Sequence, residues 1–177
     1  MVSQETSRLE LLRLLSIFAA LFFGLQWAYE SAAGSVIERM MIDIVTVKPS
    51  AYLINWIAPA EQVVAQGHRL VSPQATLSVL NGCEGTESLF LIISAVLAFK
   101  TGWRHKLIGV FLGALIIFLV NQVRIAGLYF ALRYDKSLFY ALHSYIAPVL
   151  IVAAGAAFYY WWLRWPARIS TNLIVNR

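Results

Sequence analysis

Apolar residues in this chain fall into long runs, unlike the alternating or one-faced patterns of a soluble protein. The first run, Leu14–Ala28, predicts a membrane span over about 12–30. Arg8 and Arg13 precede it, and Trp27 and Tyr29 stand where an interfacial aromatic belt falls. A second run, about Ser88–Phe99, predicts a span over 84–100. The third begins at Leu107 and continues past Leu119 as one helix over about 106–132. A turn at Tyr134-Asp135-Lys136-Ser137 leads to a fourth span over about 138–163. Each of these approaches the ~20 residues needed to cross a bilayer.

The intervening outer loop, 31–82, is the least apolar part. Val36–Val45 reads as an amphipathic helix ended by Lys48-Pro49-Ser50. Ala51–Ala58 is too short to span, and Gln62–Leu80, with Pro73, reads as a short hairpin. The pattern therefore predicts an all-α polytopic membrane bundle of about four transmembrane helices, in one domain over 1–177, without internal repeats. Ser31-Ala32-Ala33 resembles a signal-peptide cleavage site. The apolar run before it is long for a signal core, so the first helix is expected to be retained.

Composition agrees. Hydrophobic residues make up 60% and charged residues 13%, against about half and about a quarter in ordinary globular proteins. The net charge of +5 comes with no basic run interleaved with aromatics, so nucleic acid is not an expected partner. Membrane lipid is. One cysteine forms no intramolecular disulfide, and no Cys/His pair has zinc-ligand spacing, so neither metal nor cofactor is expected.

Charge asymmetry orients the spans. The side holding both termini and the 100–106 loop carries Arg8, Arg13, Lys100, Arg104, Lys106, Arg164, Arg168 and Arg177 against Glu5 and Glu10. The other side carries six basic and seven acidic residues. By the positive-inside rule both termini are cytoplasmic and 30–87 faces outward. Counting helical rise from the cytoplasmic ends, Cys83 stands about 25 Å above Lys100, Arg124 about 27 Å above Lys106, and His143 about 30 Å above Leu163. Three helices thus bring Cys, Arg and His to one level.

Taken singly, Cys83 reads as a small buried hydrophobe, Arg124 as a snorkelling helix-end residue and His143 as an interfacial hydrogen-bonding group. Together they read as a site, because ionisable groups within membrane segments are costly and usually face a bundle interior or a cavity. Asn121 stands three positions before Arg124 and extends a polar stripe on that helix. Asn81 as N-cap with Glu84 as its capping-box partner would place Cys83 in a first helical turn. There the dipole and the Arg124 guanidinium favour thiolate. His143 suits proton transfer. Arg124 stays protonated, which leaves it to stabilise the thiolate, an oxyanion or a substrate carboxylate. Glu84 and Glu87 read first as helix-start acids, with Glu84 and Asn121 as candidate assistants; a role for Tyr140 is open.

Asn81-Gly82-Cys83-Glu84-Gly85, Asn121-Gln122-Val123-Arg124-Ile125 and His143 resemble the exosortase/archaeosortase family. So does the loop Ala98-Phe99 to Trp103-Arg104 and Lys106, and the resemblance runs from about Gly82 to Trp162. This chain looks like a compact subgroup, shorter than members with additional membrane helices. The resemblance implies a cysteine transpeptidase of the bacterial inner membrane, with catalytic Cys83, Arg124 and His143. Its partners would be exported proteins bearing a C-terminal signal: a short motif such as Pro-Glu-Pro, a membrane helix and a basic tail. The alternative is a non-catalytic membrane assembly or binding protein that uses its outer loop. A metalloprotease lacks support, since paired His/Glu metal motifs are missing. A transporter would place its polar groups at the midplane.

Overall fold

The structure, a computed structural model, describes residues 2–175, with side chains for 8–165. Glu5, Arg168 and Arg177, used above for orientation, lie outside the described side chains. Three helices, Arg8–Ser31, Trp103–Tyr134 and Lys136–Trp165, are long and apolar enough to cross a membrane. They belong to α1 (Val2–Ser31), α5 (Trp103–Tyr134), and α6 (Lys136–Ala141), which continues through a π-helical turn, Leu142–Ile146, into α7 (Ala147–Val175). The chain is the all-α polytopic membrane protein its apolar runs predict.

The expected span over 84–100 is shorter than a bilayer. α4 (Thr86–Ala98) has 13 residues, about 20 Å of rise against a ~30 Å hydrocarbon core. Both ends have a local cause. Gly85 enters at φ +86°, a left-handed turn, and Phe99 leaves in extended conformation. The Lys106 ammonium then donates to the Leu97 carbonyl, one of the acceptors that a helix end leaves unpaired.

The outer region differs from expectation at Lys48-Pro49-Ser50, where the helix does not break. α2 (Val36–Arg39) starts at Ser35, whose hydroxyl accepts from the Ile37 N–H, and runs into a π-helical segment, Met40–Val47. α3 (Lys48–Ile57) follows directly. Pro49 falls in the first turn of α3, where hydrogen bonding changes from π to α spacing, so its missing N–H and fixed φ are accommodated. A 3-10 turn, Pro59–Glu61, leads to β1 (Val64–Gln66), β2 (Arg69–Val71) and β3 (Thr76–Ser78). The predicted hairpin is thus two-thirds of an antiparallel meander, with Val64 opposite Val71 and Arg69 opposite Ser78. Gly67, at φ +57°, closes the first turn, and Ser72 accepts from the Gln74 and Ala75 N–H groups beside Pro73.

Two apolar cores stack along α5. The inner one joins Ile92, Val96, Ile117, Ile151, Phe158 and Trp162. The outer one packs Ile42, Val47, Ile54, Leu70 and Val79 of the loop region on Ile125, Leu128 and Tyr129. Between them on α5 lie buried Asn121 and Gln122, joined by buried Thr46, Ser50, Glu84 and Thr86. Gln122 Oε1 accepts from Ser50 Oγ at 2.6 Å, tying α3 to α5.

A second polar knot holds the meander down. Glu61 Oε2 accepts from the Tyr129 hydroxyl at 2.7 Å and Oε1 from Arg133 Nε at 2.6 Å, while Tyr129 also contacts Ser72 Oγ at 2.8 Å. The Tyr129 hydrogen bond, with Arg133 adding to it, holds the Glu61 carboxyl below its ordinary range against the opposing effect of burial. A lowered carboxyl stabilises the fold at and above the unfolded value, and that contribution is lost as pH falls through the lowered one. Amide-exchange protection of β1–β3 is therefore expected to hold from neutral pH to about pH 4, the ordinary carboxylate range, and to fall only below it. Loss of protection near pH 6 would sink this account; Glu61→Gln should weaken protection already at neutral pH.

Candidate functional site

Cys83 lies in the turn from Leu80 to Gly85, where its N–H donates to the Leu80 carbonyl at 2.9 Å. The thiol is free and half-buried, and it packs on the outer core. Its placement corrects the capping-box expectation. Asn81 does not cap a helix; its Nδ2 donates to Glu38 Oε1 at 3.0 Å. Glu84 is buried and accepts from the Thr86 hydroxyl at 2.9 Å. The left-handed Gly85 separates both residues from α4, so Cys83 precedes the first turn. The helix-dipole support expected for a thiolate fades outside that turn. Glu87 does occupy the first turn of α4, as a helix-start acid.

Arg124 is connected to the cysteine turn through Asn121. Asn121, 1% exposed, donates Nδ2 to the Glu84 carbonyl at 2.8 Å, and its Oδ1 meets Arg124 Nη1 at 3.5 Å. The turn nests this closely because residue 85 has no side chain: a Cβ there would stand 3.0 Å from Asn121 Cγ. Arg124 Nε is buried without a hydrogen-bond partner among the described residues. Its side chain lines a groove of about 230 Å³ with Val120, Val123, Gly127, Leu142 and Leu150.

His143 sits in the π-helical turn, its ring stacked on Phe139 at 5.5 Å between centroids. Phe139 and Leu142 pack on the same outer core as Cys83. The cysteine turn and the entry to α7 thus border the same outer core on α5, while the groove that Arg124 lines includes neither Cys83 nor His143 among its lining residues. Tyr140 is exposed on α6.

Sequence reading did not single out Gln122, Tyr129, Arg133 or Glu61. A signal was present: residues 121, 122, 125, 129 and 133 repeat at helical spacing, marking the inward face of α5. Asn121→Ala should release the Glu84 carbonyl and loosen the turn. We expect Cys83 to react several-fold faster with a small maleimide in membranes; an unchanged rate would mean that Asn121 does not hold it.

Fold and site together define a helical integral membrane protein with a buried polar layer beneath a cysteine-bearing turn. The chain belongs to the transmembrane exosortase family, whose family model matches residues 6–161. The matched region includes Cys83, Arg124 and His143 and extends to α1, beyond the stretch that carries the motif resemblance. No curated protein and no solved structure matches the chain significantly.

Proposed function

We propose that this membrane protein is a cysteine transpeptidase that processes C-terminal sorting signals of exported proteins at the outer face of the bacterial inner membrane, with both termini cytoplasmic. The observation that carries this reading is the Asn121 bridge, which joins Arg124 to the carbonyl of the residue next to Cys83. Membership of the exosortase family supports the class of chemistry.

In the reaction, Cys83 gives its proton to His143 and its sulfur attacks the scissile carbonyl carbon. Arg124 neutralises charge on the carbonyl oxygen. The C–N bond then breaks, the amine leaves with the proton from His143, and the upstream polypeptide remains as a thioester on Cys83. An incoming amine or water attacks that carbonyl and loses a proton to His143; the C–S bond breaks, and the sulfur takes that proton back to restore the thiol. Asn121 positions Arg124, and the buried Glu84 anchors the turn through Thr86.

The substrate's membrane helix docks at Gly127. Gly109, Gly113 and Gly155 are occupied by the protein's own packing, against Trp162, Phe158 and Ile92, whereas Gly127 has no heavy atom within 4 Å of an added Cβ. A small residue facing open space permits close helix approach, and Arg124 lines the same groove. The deciding experiment co-expresses a protein bearing such a signal with the wild-type chain or with Cys83→Ala and follows processing.

A further inference from the structure

At the opposite end of the bundle, a notch opens where α1 passes the turn between α4 and α5. It has a volume of about 490 Å³ and is lined by two kinds of residue. Arg13, Lys100, Lys106 and Thr101 supply cationic and hydroxyl groups; Leu14, Ile17 and Leu97 are among those supplying an apolar wall. We propose that this notch binds one anionic phospholipid, its phosphate among the basic side chains and an acyl chain along the leucines.

The charge balance supports an anion. Three cations line the notch with a single acid, Glu10, which pairs with Lys100 at 2.8 Å. Arg13 is exposed and has no acidic partner among the described residues. Lys106 spends one of its three donors on the Leu97 carbonyl, which fixes the ammonium at the rim and leaves two for a ligand.

The shape of the fold explains why the notch exists. α4 ends at Ala98, while α1 continues as a helix for many residues beyond the level where Glu10 meets Lys100. The short helix leaves a gap beside the long one at an interfacial level. Basic pockets between membrane helices at such a level suit lipid phosphate. A soluble anion would engage only the cations, whereas a lipid engages them with its phosphate and lays an acyl chain on Leu14, Ile17 and Leu97, so the paired lining favours a lipid over free phosphate.

The test uses the full-length chain in nanodiscs and in mild detergent. Photoreactive phosphatidylglycerol should crosslink to peptides containing 8–17 and 97–106, and native mass spectrometry should retain a phosphatidylglycerol adduct in preference to phosphatidylcholine. Arg13→Gln and Lys106→Gln should each weaken the adduct about fivefold, as expected for one basic contact to an anionic headgroup. Leu14→Trp, which keeps every charge and fills the apolar wall, should also compete with binding. Arg39→Gln, outside the notch, should change nothing. Equal retention of both lipids, crosslinks confined to other peptides, or full protection by inorganic phosphate alone would overturn the proposal. Should a variant fail to fold, the wild-type crosslink map decides.

Discussion

Cys83→Ala is expected to abolish processing of a co-expressed signal-bearing protein, by about three orders of magnitude or more, while the chain still inserts and accumulates. The size follows from the proposed role: removing the nucleophile would eliminate the covalent route and leave only background hydrolysis. The structural cost is small, since Cys83 is a half-buried residue on the edge of the outer core and makes no side-chain hydrogen bond among the described residues. Arg124→Met and His143→Gln should fall nearly as far, because residues that act as one unit do not lose activity additively. Normal processing by a stable, inserted Cys83→Ala protein would rule out the nucleophile. Full processing by Arg124→Met would leave the cysteine in place and remove the guanidinium from the chemistry.

Two glycines on α5 should respond in opposite ways. At Gly113 an added Cβ would stand 2.5 Å from Ile92 Cγ2 and 2.9 Å from Phe158 Cε1. The inner core has no space to give, so Gly113→Ala should cost about 1–3 kcal/mol and Gly113→Leu should prevent assembly. At Gly127 the same methyl meets nothing, and the helix gains the propensity difference between Ala and Gly, about 0.8–1 kcal/mol. Gly127→Ala should therefore be neutral to stabilising in a detergent thermal melt. Gly127→Leu should preserve the melt yet slow processing about tenfold by filling the groove beside Arg124. If Gly127→Leu processes at the wild-type rate while Cys83→Ala does not, the docking groove is misplaced and the nucleophile stands.

Much of the fold was legible because long apolar runs admit few structures in lipid. α1, α5 and the α6–α7 helix each cover one of the long runs, although α1 begins at Val2 and α7 continues to Val175, well outside the apolar stretches. What the pattern missed lies where tertiary contacts outbid local preference. Asn81 is a good cap by propensity, yet Glu38, 43 positions away, claims its amide. Gly85 starts the helix instead because only glycine can turn left-handed against Asn121. Pro49 reads as a breaker, but a change of helical spacing absorbs it.

For the candidate site, the sequence supplies residue types and a common depth. The depth count singled out Cys83, Arg124 and His143 without foreseeing the Asn121 bridge, a contact between residues 37 positions apart that no local pattern encodes.

The brevity of α4 has one more consequence. Its C-terminal end is tied to α1 by the Lys100–Glu10 ion pair, and its rise of about 20 Å is about 10 Å less than a hydrocarbon core. With the orientation proposed above and Lys100 at the inner headgroup boundary, the cysteine turn would be recessed, like the floor of a well whose walls are the longer helices. On the acyl-transfer reading, a bond becomes cleavable only when its own anchor lowers it to that floor. On that same reading the helix would work as a gauge, setting how far from the middle of the bilayer a polypeptide is cut, whatever the letters of the motif that is read there.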